Sequence, residues 1–316
     1  MTASLLGRPG GFTTSATSKL SVRERVRRVV DYRRILWLLV RRDLKVRYAG
    51  SALGYVWSVL DPLLMSLVYW FVFVKIFQRA IGFPPYILFL VLGQMMWAWF
   101  NGGVSGAVRA LRNEAQMVRQ SNVPREVWVL RVVVSKGVEF VFSLPVVGVF
   151  AIAYLKAPTW RTVIYLPLAM IMCFFLVLGC GLILAPLAVL IRDVERIVPI
   201  FMRVMFYSSP VLYSVKDVPA QLHLFLSINP TTGMLVLVRG CFFPQELSGM
   251  VQKTNRHRSP MFRHFVDADG VKHRVPVMHH INNWGFVWHS AIGIAVILAV
   301  GVWIFARLER PVLKEI

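Results

Sequence analysis

Runs of about 20 consecutive apolar residues recur along this chain and limit what it can fold into. Each run is long enough to cross a hydrocarbon core of about 30 Å as an α-helix. The 316 residues are 57% hydrophobic and only 16% charged, a composition that soluble domains rarely have. Six spans are predicted, at residues 56–77, 86–105, 127–155, 163–191, 197–213 and 286–306. The sequence therefore predicts an all-α polytopic membrane protein.

Basic residues are distributed unevenly around these spans. The chain has 36 Lys and Arg against 15 Asp and Glu, for a net charge of +21. They concentrate before span one, between spans two and three, between spans four and five, and after span six, whereas the opposite short loops hold only Arg79, Lys156 and Arg161. Positive charge favours the cytoplasmic side, so both termini are predicted to be cytoplasmic and the 214–285 connector external. Because the charge flanks apolar spans, it does not indicate nucleic-acid binding.

The predicted organisation has four segments. A disordered cytoplasmic tail (1–20) precedes an amphipathic interface helix (21–55), the six-span domain (56–308) and a short cytoplasmic tail (309–316). Within the six-span domain, the half-apolar stretch 222–243 is interrupted by Asn229, Pro230 and Gly233. Broken backbone at membrane depth must be buried in protein or line a cavity. We therefore predict a re-entrant hairpin or a pair of short helices there.

Two cytoplasmic stretches have the periodicity of amphipathic helices. Before span one, apolar residues at spacings of 3 and 4 share a face, namely Trp37, Val40, Leu44 and Tyr48. Between spans two and three, the predicted apolar face consists of Val108, Leu111, Ala115 and Val118. The opposite face consists of Arg109, Asn113, Gln116 and Gln120, and Pro124 ends the helix. From the residues alone, each helix either lies on the lipid surface or docks a protein partner.

The predicted external insertion, residues 243–285, contains a hairpin pattern. Two alternating segments, MFRHFV and VKHRVPV, flank the turn sequence DADG. The insertion also holds five histidines, His257, His264, His273, His279 and His280. Their spacing matches no zinc pattern, so they are predicted to be solvated and no metal site is expected. Asp267 and Asp269 form a D-x-D in the turn, on the side away from cytoplasmic sugar nucleotides, which argues against a glycosyltransferase site.

Ionisable residues within the spans need partners or access to water. Lys136 and Glu139 are three residues apart and are predicted to form a salt bridge on one helix face. Arg131, Arg203 and Lys75 are predicted to extend to the headgroups.

Five segments in order resemble the type-2 ABC permeases that export polysaccharides, the Wzm family and its teichoic acid counterparts. They are RRDLKVRYAGSALGYVWSVLDPLLMSLVYWFVF from Arg41, LRNEAQMVRQSNVPREV from Leu111, IRDVERIVPI from Ile191, FYSSPVLY from Phe206 and INPTTGMLVLVRG from Ile228. The external insertion departs from the family, whose connection is usually much shorter.

The resemblance implies a bacterial inner-membrane permease subunit that is not itself an enzyme. Such permeases form homodimers and bind two copies of a separate ABC ATPase, which carries the ATP and magnesium. This chain accordingly has no G-x-x-x-x-G-K-[ST] sequence, and no cofactor is expected in it. The residues expected to dock the ATPase are Arg42, Asp43, Lys45, Arg109, Arg112, Asn113, Gln116, Arg119 and Gln120.

The resemblance also places spans one and five at the export channel. A glycan path should combine flat aromatic faces with hydrogen-bonding groups. The candidate lining residues are Tyr55, Trp57, Asp61, Tyr69, Trp70, Phe206, Tyr207, Ser208, Ser209 and Tyr213. Aromatic residues also populate membrane interfaces in general, so a purely interfacial role is the competing interpretation.

The implied cargo is a lipid-linked polysaccharide, and O antigen, teichoic acid and cell-wall galactan all fit these motifs. Two other function classes stay in view. A membrane enzyme acting on polyprenyl-linked sugars would need convergent acids or a nucleophile. A secondary transporter would be expected to show an internal repeat with broken helices in corresponding places.

Overall fold

The computed structural model describes residues 22–50, 54, 56–78, 82–252, 262–266, 272–276 and 278–315. The predicted disordered tail, Tyr55, His257, Asp267 and Asp269 lie outside the described residues. The side chains of Tyr48, His264, His273 and His279 lie outside them as well. The described chain is mostly helical, as predicted for a polytopic membrane protein.

Eleven α-helices occur in the described residues. In chain order they are α1 (Val22–Asp31), α2 (Arg33–Tyr48), α3 (Val56–Trp70), α4 (Tyr86–Arg109), α5 (Ala115–Gln120), α6 (Arg125–Ala153), α7 (Thr162–Leu190), α8 (Val194–Ser208), α9 (His223–Ile228), α10 (Thr231–Gly240) and α11 (Trp284–Glu315). A π-helical turn, Phe71–Ile76, extends α3. Helix α11 continues through the segment predicted as a carboxyl-terminal tail.

Five helices are long and apolar enough to span a membrane. They are α3 with its π-helical turn, α4, α6, α7 and α11, and they coincide with predicted spans one, two, three, four and six. The prediction that residues 197–213 form a fifth span is wrong, because the helix there, α8, has only 15 residues and ends at Ser208. At 1.5 Å per residue it is about 22 Å long, shorter than the hydrocarbon core. The sixth candidate span is instead the pair α9 and α10, bent by 103°.

Helix α4 lies at the centre of the bundle. In its most apolar stretch of 18 residues, 83% of the residues are buried, whereas the corresponding share is 17% in each of α3 and α11. It packs against α3, α6, α7, α8 and α10. Helices α7 and α11 pack closely along their length, and a Cβ at Gly301 would lie 2.6 Å from the carbonyl oxygen of Gly179. Small residues at this crossing let the two backbones approach.

The bent pair is buried in protein. Every residue of α10 is buried. Pro230 cannot donate to the ladder of α9, and the Asn229 side chain accepts a bond from the Thr231 amide at 3.0 Å, so the chain turns sharply between the two helices. The Ser290 hydroxyl on α11 accepts the amide of Gly233 at 2.8 Å, which fixes the start of α10 against the bundle.

Two antiparallel ladders occupy the segment between α10 and α11. Strand β1 (Ser248–Gln252) pairs with β4 (Met278–Asn282), and β2 (Phe262–Val266) pairs with β3 (Lys272–Pro276). Strands β2 and β3 lie within the two segments predicted as a hairpin. The β1–β4 ladder was not predicted, because its strands are 25 residues apart in the chain and the turn sequence between them was assigned to the inner hairpin.

Candidate functional site

A charged network joins α2, α6 and the turn before α5 at one end of the bundle. The Glu114 carboxylate accepts from Arg131 at 3.1 Å and from Arg42 at 2.5 Å, and Asp43 accepts from Arg131 at 3.3 Å. Arg131 is 4% exposed. The prediction that Arg131 extends to the headgroups is therefore wrong, because its guanidinium is held between two carboxylates inside the protein.

The segment from the end of α4 through α5 presents the two faces that its sequence predicts, although only residues 115–120 form a separate helix. Val108, Leu111 and Val118 are buried and Ala115 is half-buried, while the polar residues of the opposite face are exposed. Among the residues expected to dock an ATPase, those with exposed side chains are Lys45, Arg109, Asn113, Gln116, Arg119 and Gln120. The other three have partners within the chain. Arg42 and Asp43 belong to the network around Arg131, and Arg112 bonds Glu195 of α8 at 2.7 Å.

A neighbouring cluster ties α1 to the same end of the bundle. Arg25 donates to Glu126 of α6 at 2.6 Å and to Glu309 of α11 at 2.9 Å. Burial opposes the charge on Arg25, but these bonds to Glu309 and Glu126 raise its pKa above the usual value. Arg125 also donates to Glu309, at 3.2 Å. Helices distant in sequence are thus held together at this end by charge.

An aromatic and polar cavity of about 490 Å³ lies between α3, α4 and α8. Its rings touch one another: Phe206 stacks on Tyr69 with centroids 5.9 Å apart and meets Trp97 edge-on at 5.5 Å. Polar side chains from α4 and α8 complete the wall, namely Gln94, Asn101, Ser105, Arg109 and Arg203. We call this space the aromatic cavity. Flat rings beside amide and hydroxyl groups can contact both faces and hydroxyls of a sugar.

The residues predicted to line the channel do not all lie in one cavity. Tyr69, Phe206 and Tyr207 line the aromatic cavity, and Tyr207 is 64% exposed. Trp57 and Asp61 line a separate cavity of about 470 Å³ between α3, α4 and α6. Trp70 lies 5.7 Å from the Lys75 ammonium.

The backbone that follows α8 is held from within the protein. Ser209 is fully buried, and its hydroxyl accepts bonds from Asn229 at 3.0 Å and Thr231 at 2.8 Å. The Tyr213 hydroxyl donates to the Ser208 carbonyl at 3.2 Å. Ser208 itself donates to the Val204 carbonyl at 2.6 Å. The Ser209 side chain therefore faces the bent pair, whereas Tyr207 faces the aromatic cavity.

Buried Arg239 of α10 binds the carbonyls that the end of α8 exposes. It donates to Pro210 at 2.5 Å, to Tyr213 at 3.2 Å and also to Val211, and it lies 3.6 Å from the Phe89 ring. Sequence reasoning missed Arg239, although an arginine in an otherwise apolar, Pro-broken segment is itself a signal of internal pairing. It also missed Gln94, Trp97 and Asn101, which lie at spacings of 3 and 4 on α4.

The predicted salt bridge of α6 is confirmed. Lys136 donates to Glu139 at 2.6 Å, and Arg47 of α2 bonds the second carboxylate oxygen. Of the other two cations predicted to extend to headgroups, Arg203 lines the aromatic cavity and Lys75 contacts Trp70.

Comparison with known proteins supplies the family. Residues 34–243, two thirds of the chain, match the ABC-2 type transporter family. This chain belongs to that family. It is 33% identical over 208 residues to the O-antigen export system permease protein RfbA of Klebsiella pneumoniae, covering 66% of this chain and 80% of that protein. The RfbA of Myxococcus xanthus is 33% identical over 225 residues, covering 70% of this chain and 85% of the relative.

A more distant relative is named for the transport of another polysaccharide. The polysialic acid transport protein KpsM of Escherichia coli is 20% identical over 215 residues, covering 66% of this chain and 81% of KpsM. The matched family region begins in α2 and ends after α10, so it contains the charged network, α5 and the aromatic cavity. The β-strands and α11 lie beyond it.

Proposed function

We propose that this ABC-2 chain is the permease subunit of an exporter that moves a lipid-linked polysaccharide out of the cytoplasm. The aromatic cavity carries the proposal, because its stacked rings and polar groups match the two surfaces of a sugar. The O-antigen export relatives support the same cargo class. O antigen, teichoic acid and galactan remain alternative cargoes, since each presents a similar chemistry to these side chains.

The energy source in this proposal is a separate ABC ATPase, which binds ATP and magnesium. Its docking surface is the exposed face of α5 with its flanks, from Arg109 to Gln120, and Lys45 of α2. These side chains are exposed at the end of the bundle where charged networks fix α2, the turn before α5 and α6. A displacement of α5 by the ATPase would therefore be transmitted to α2 and α6 through the bonds of Glu114 to Arg42 and Arg131.

A second copy of the chain completes the conduit in this proposal. The aromatic cavity opens beside α3 and α8, whose outward faces are apolar and exposed, for example at Val68, Phe71, Phe201 and Val204. A polymer held only on one side would contact lipid on the other. Two copies facing each other through α3 and α8 would enclose it, with two ATPases below.

The orientation completes the proposal. The bundle end that holds α1, α2 and α5 faces the cytoplasm, and the bent pair and the strands lie at the other side. The basic flanks of the spans support this placement.

The test is to deplete the protein from the cells that encode it and to measure lipid-linked glycan on each side of the membrane. We expect the glycan to accumulate inside and to decrease at the surface. Trp97→Ala should reproduce the defect, because it removes one wall of the aromatic cavity. Trp160→Ala is the matched control, since Trp160 is 73% exposed in the loop between α6 and α7. Normal glycan export after depletion would refute the proposal.

A further inference from the structure

Two adjoining cavities of opposite character lie beneath α1, away from the aromatic cavity. One is an apolar groove of about 350 Å³ between α1, α6, α7 and α11. The other is a polar pocket of about 170 Å³ at its mouth. Arg25 and Glu126, which are ion-paired at 2.6 Å, line both, so the two cavities adjoin at this pair.

The apolar groove runs along the bundle from its charged end. On α7 it extends from Phe174 to Leu182, which is about 12 Å of helix, and on α11 from Leu298 to Phe305. Val26 of α1 forms part of its roof and is 57% exposed. Water would find no hydrogen-bond partners in this apolar groove. A hydrocarbon chain would fit its length and its lining.

The polar pocket carries excess positive charge. Three guanidiniums, of Arg25, Arg28 and Arg125, line it with two carboxylates, of Glu126 and Glu309. Both carboxylates are already bonded to Arg25, and within the described part of the chain no acidic residue pairs with Arg28. The Nε atoms of Arg25 and Arg125 are buried and have no acceptor. One negative charge with several acceptor oxygens would balance this pocket.

We propose that the groove and pocket together bind one anionic phospholipid. An acyl chain occupies the apolar groove, and the phosphate lies against Arg28 and Arg125. The lipid fills the gap between α1 and the bundle, so α1 packs against the lipid as well as against protein. This site is independent of the cargo and of the conduit.

The test uses the purified full chain in detergent and counts bound lipid by native mass spectrometry. Phosphatidylglycerol and phosphatidylcholine of the same acyl composition are titrated separately. We expect a preference of about fivefold for phosphatidylglycerol, the effect of roughly one cation near an anionic headgroup. Arg28→Gln should abolish this preference, whereas Arg34→Gln, an exposed arginine of α2 outside the pocket, should keep it.

A groove-filling variant tests the acyl chain. Val26→Trp should weaken binding of both lipids, while Val163→Trp, at an exposed site on α7 outside the groove, should not. Arg28→Gln keeps the test valid if Val26→Trp fails to fold. Equal binding of both lipids to the wild type, or variants that match their controls, would show annular lipid only and overturn the proposal. Displacement of phosphatidylglycerol by inorganic phosphate without sensitivity to Val26→Trp would overturn it as well.

Discussion

At the scale of single residues, the end of α8 depends on a buried cation and a nearby acid. Arg239 binds the carbonyls of Pro210, Val211 and Tyr213, which a helix ending at Ser208 leaves without helical donors. Glu246, in the turn after α10, is also fully buried and accepts from the Ser214 hydroxyl at 2.6 Å. Its other carboxylate oxygen has no partner. A buried carboxylate with only one of its two oxygens hydrogen-bonded therefore lies next to the segment that follows α8.

Glu246 should make stability depend on pH. Burial raises the pKa of Glu246, although Arg239 acts in the opposite direction. The folded chain therefore binds this proton more tightly than the unfolded chain does, so the stabilising contribution is complete below the ordinary value of 4.5 and is lost as pH rises through the folded pKa. Glu246→Gln should show a flatter pH dependence of the unfolding midpoint from pH 4.5 to 7, measured in detergent. Identical slopes for variant and wild type would contradict this assignment.

Tyr207 and Ser209 are two residues apart and should differ sharply in accessibility. In a chain without its three native cysteines, Tyr207→Cys should react with a membrane-impermeant thiol reagent, because that side chain is 64% exposed at the aromatic cavity. Ser209→Cys should react at least tenfold more slowly, because Ser209 is fully buried and local opening would have to precede reaction.

Trapped substrate should protect Tyr207→Cys if the cavity carries the glycan. Equal labelling of the two positions would contradict the buried placement of Ser209. Labelling of Tyr207→Cys that ignores substrate would move the conduit elsewhere.

At the scale of elements, α5 is short but firmly placed. It has six residues, too few to be stable alone in water. Val118 buries its apolar side against the bundle, and Glu114, at its start, bonds Arg42 and Arg131. The burial of Val118 and the ion pairs of Glu114 therefore hold the outer face of α5 in one orientation, as a docking surface requires.

Charge reversal on that outer face should weaken ATPase binding. Arg119→Glu should lower co-purification of the ATPase by about tenfold, since a rim charge pair contributes up to about 1 kcal/mol and reversal adds repulsion. Arg112→Glu is a poorer probe, because it also breaks the bond to Glu195 of α8. Arg161→Glu, exposed at the opposite end of the bundle, serves as the control. Unchanged ATPase recovery with Arg119→Glu would place the docking surface elsewhere.

At the scale of the whole molecule, burial decreases from the centre of the bundle to two of its outer helices. Helix α4 is enclosed by its neighbours, while α3 and α11 are largely exposed within one chain. Lipid can cover such faces, and so can a second copy. The aromatic cavity lies between the enclosed α4 and the exposed α3, so it is accessible from the side where a second copy is proposed.

The proposed orientation makes a prediction for the intact cell. In the cysteine-free background, Trp160→Cys should be labelled from outside by an impermeant thiol reagent, whereas Arg119→Cys should be labelled only after the membrane is opened. Both side chains are exposed, so burial does not explain the difference. Labelling of Arg119→Cys in sealed cells, with Trp160→Cys protected, would invert the topology.

The local sequence pattern was sufficient to predict most of the membrane-spanning helices. Five spans, the buried and exposed sides of α5, and the Lys136–Glu139 pair could all be predicted, because each depends on residues a few positions apart. The periodicity of 3.6 residues relates a side chain to its own helix, whatever surrounds that helix.

Contacts between distant segments required the tertiary structure. Residues 197–213 were predicted as a span, but Arg239, 26 residues beyond Tyr213, binds the backbone carbonyls that follow a shorter α8. Ser209 faces inward because Asn229 and Thr231 lie beside it, and Arg131 stays inside because Asp43 and Glu114 come to it from other segments. A polar group in a membrane is placed by the partner that satisfies it. That partner can lie anywhere in the chain, so composition and period alone could not locate it.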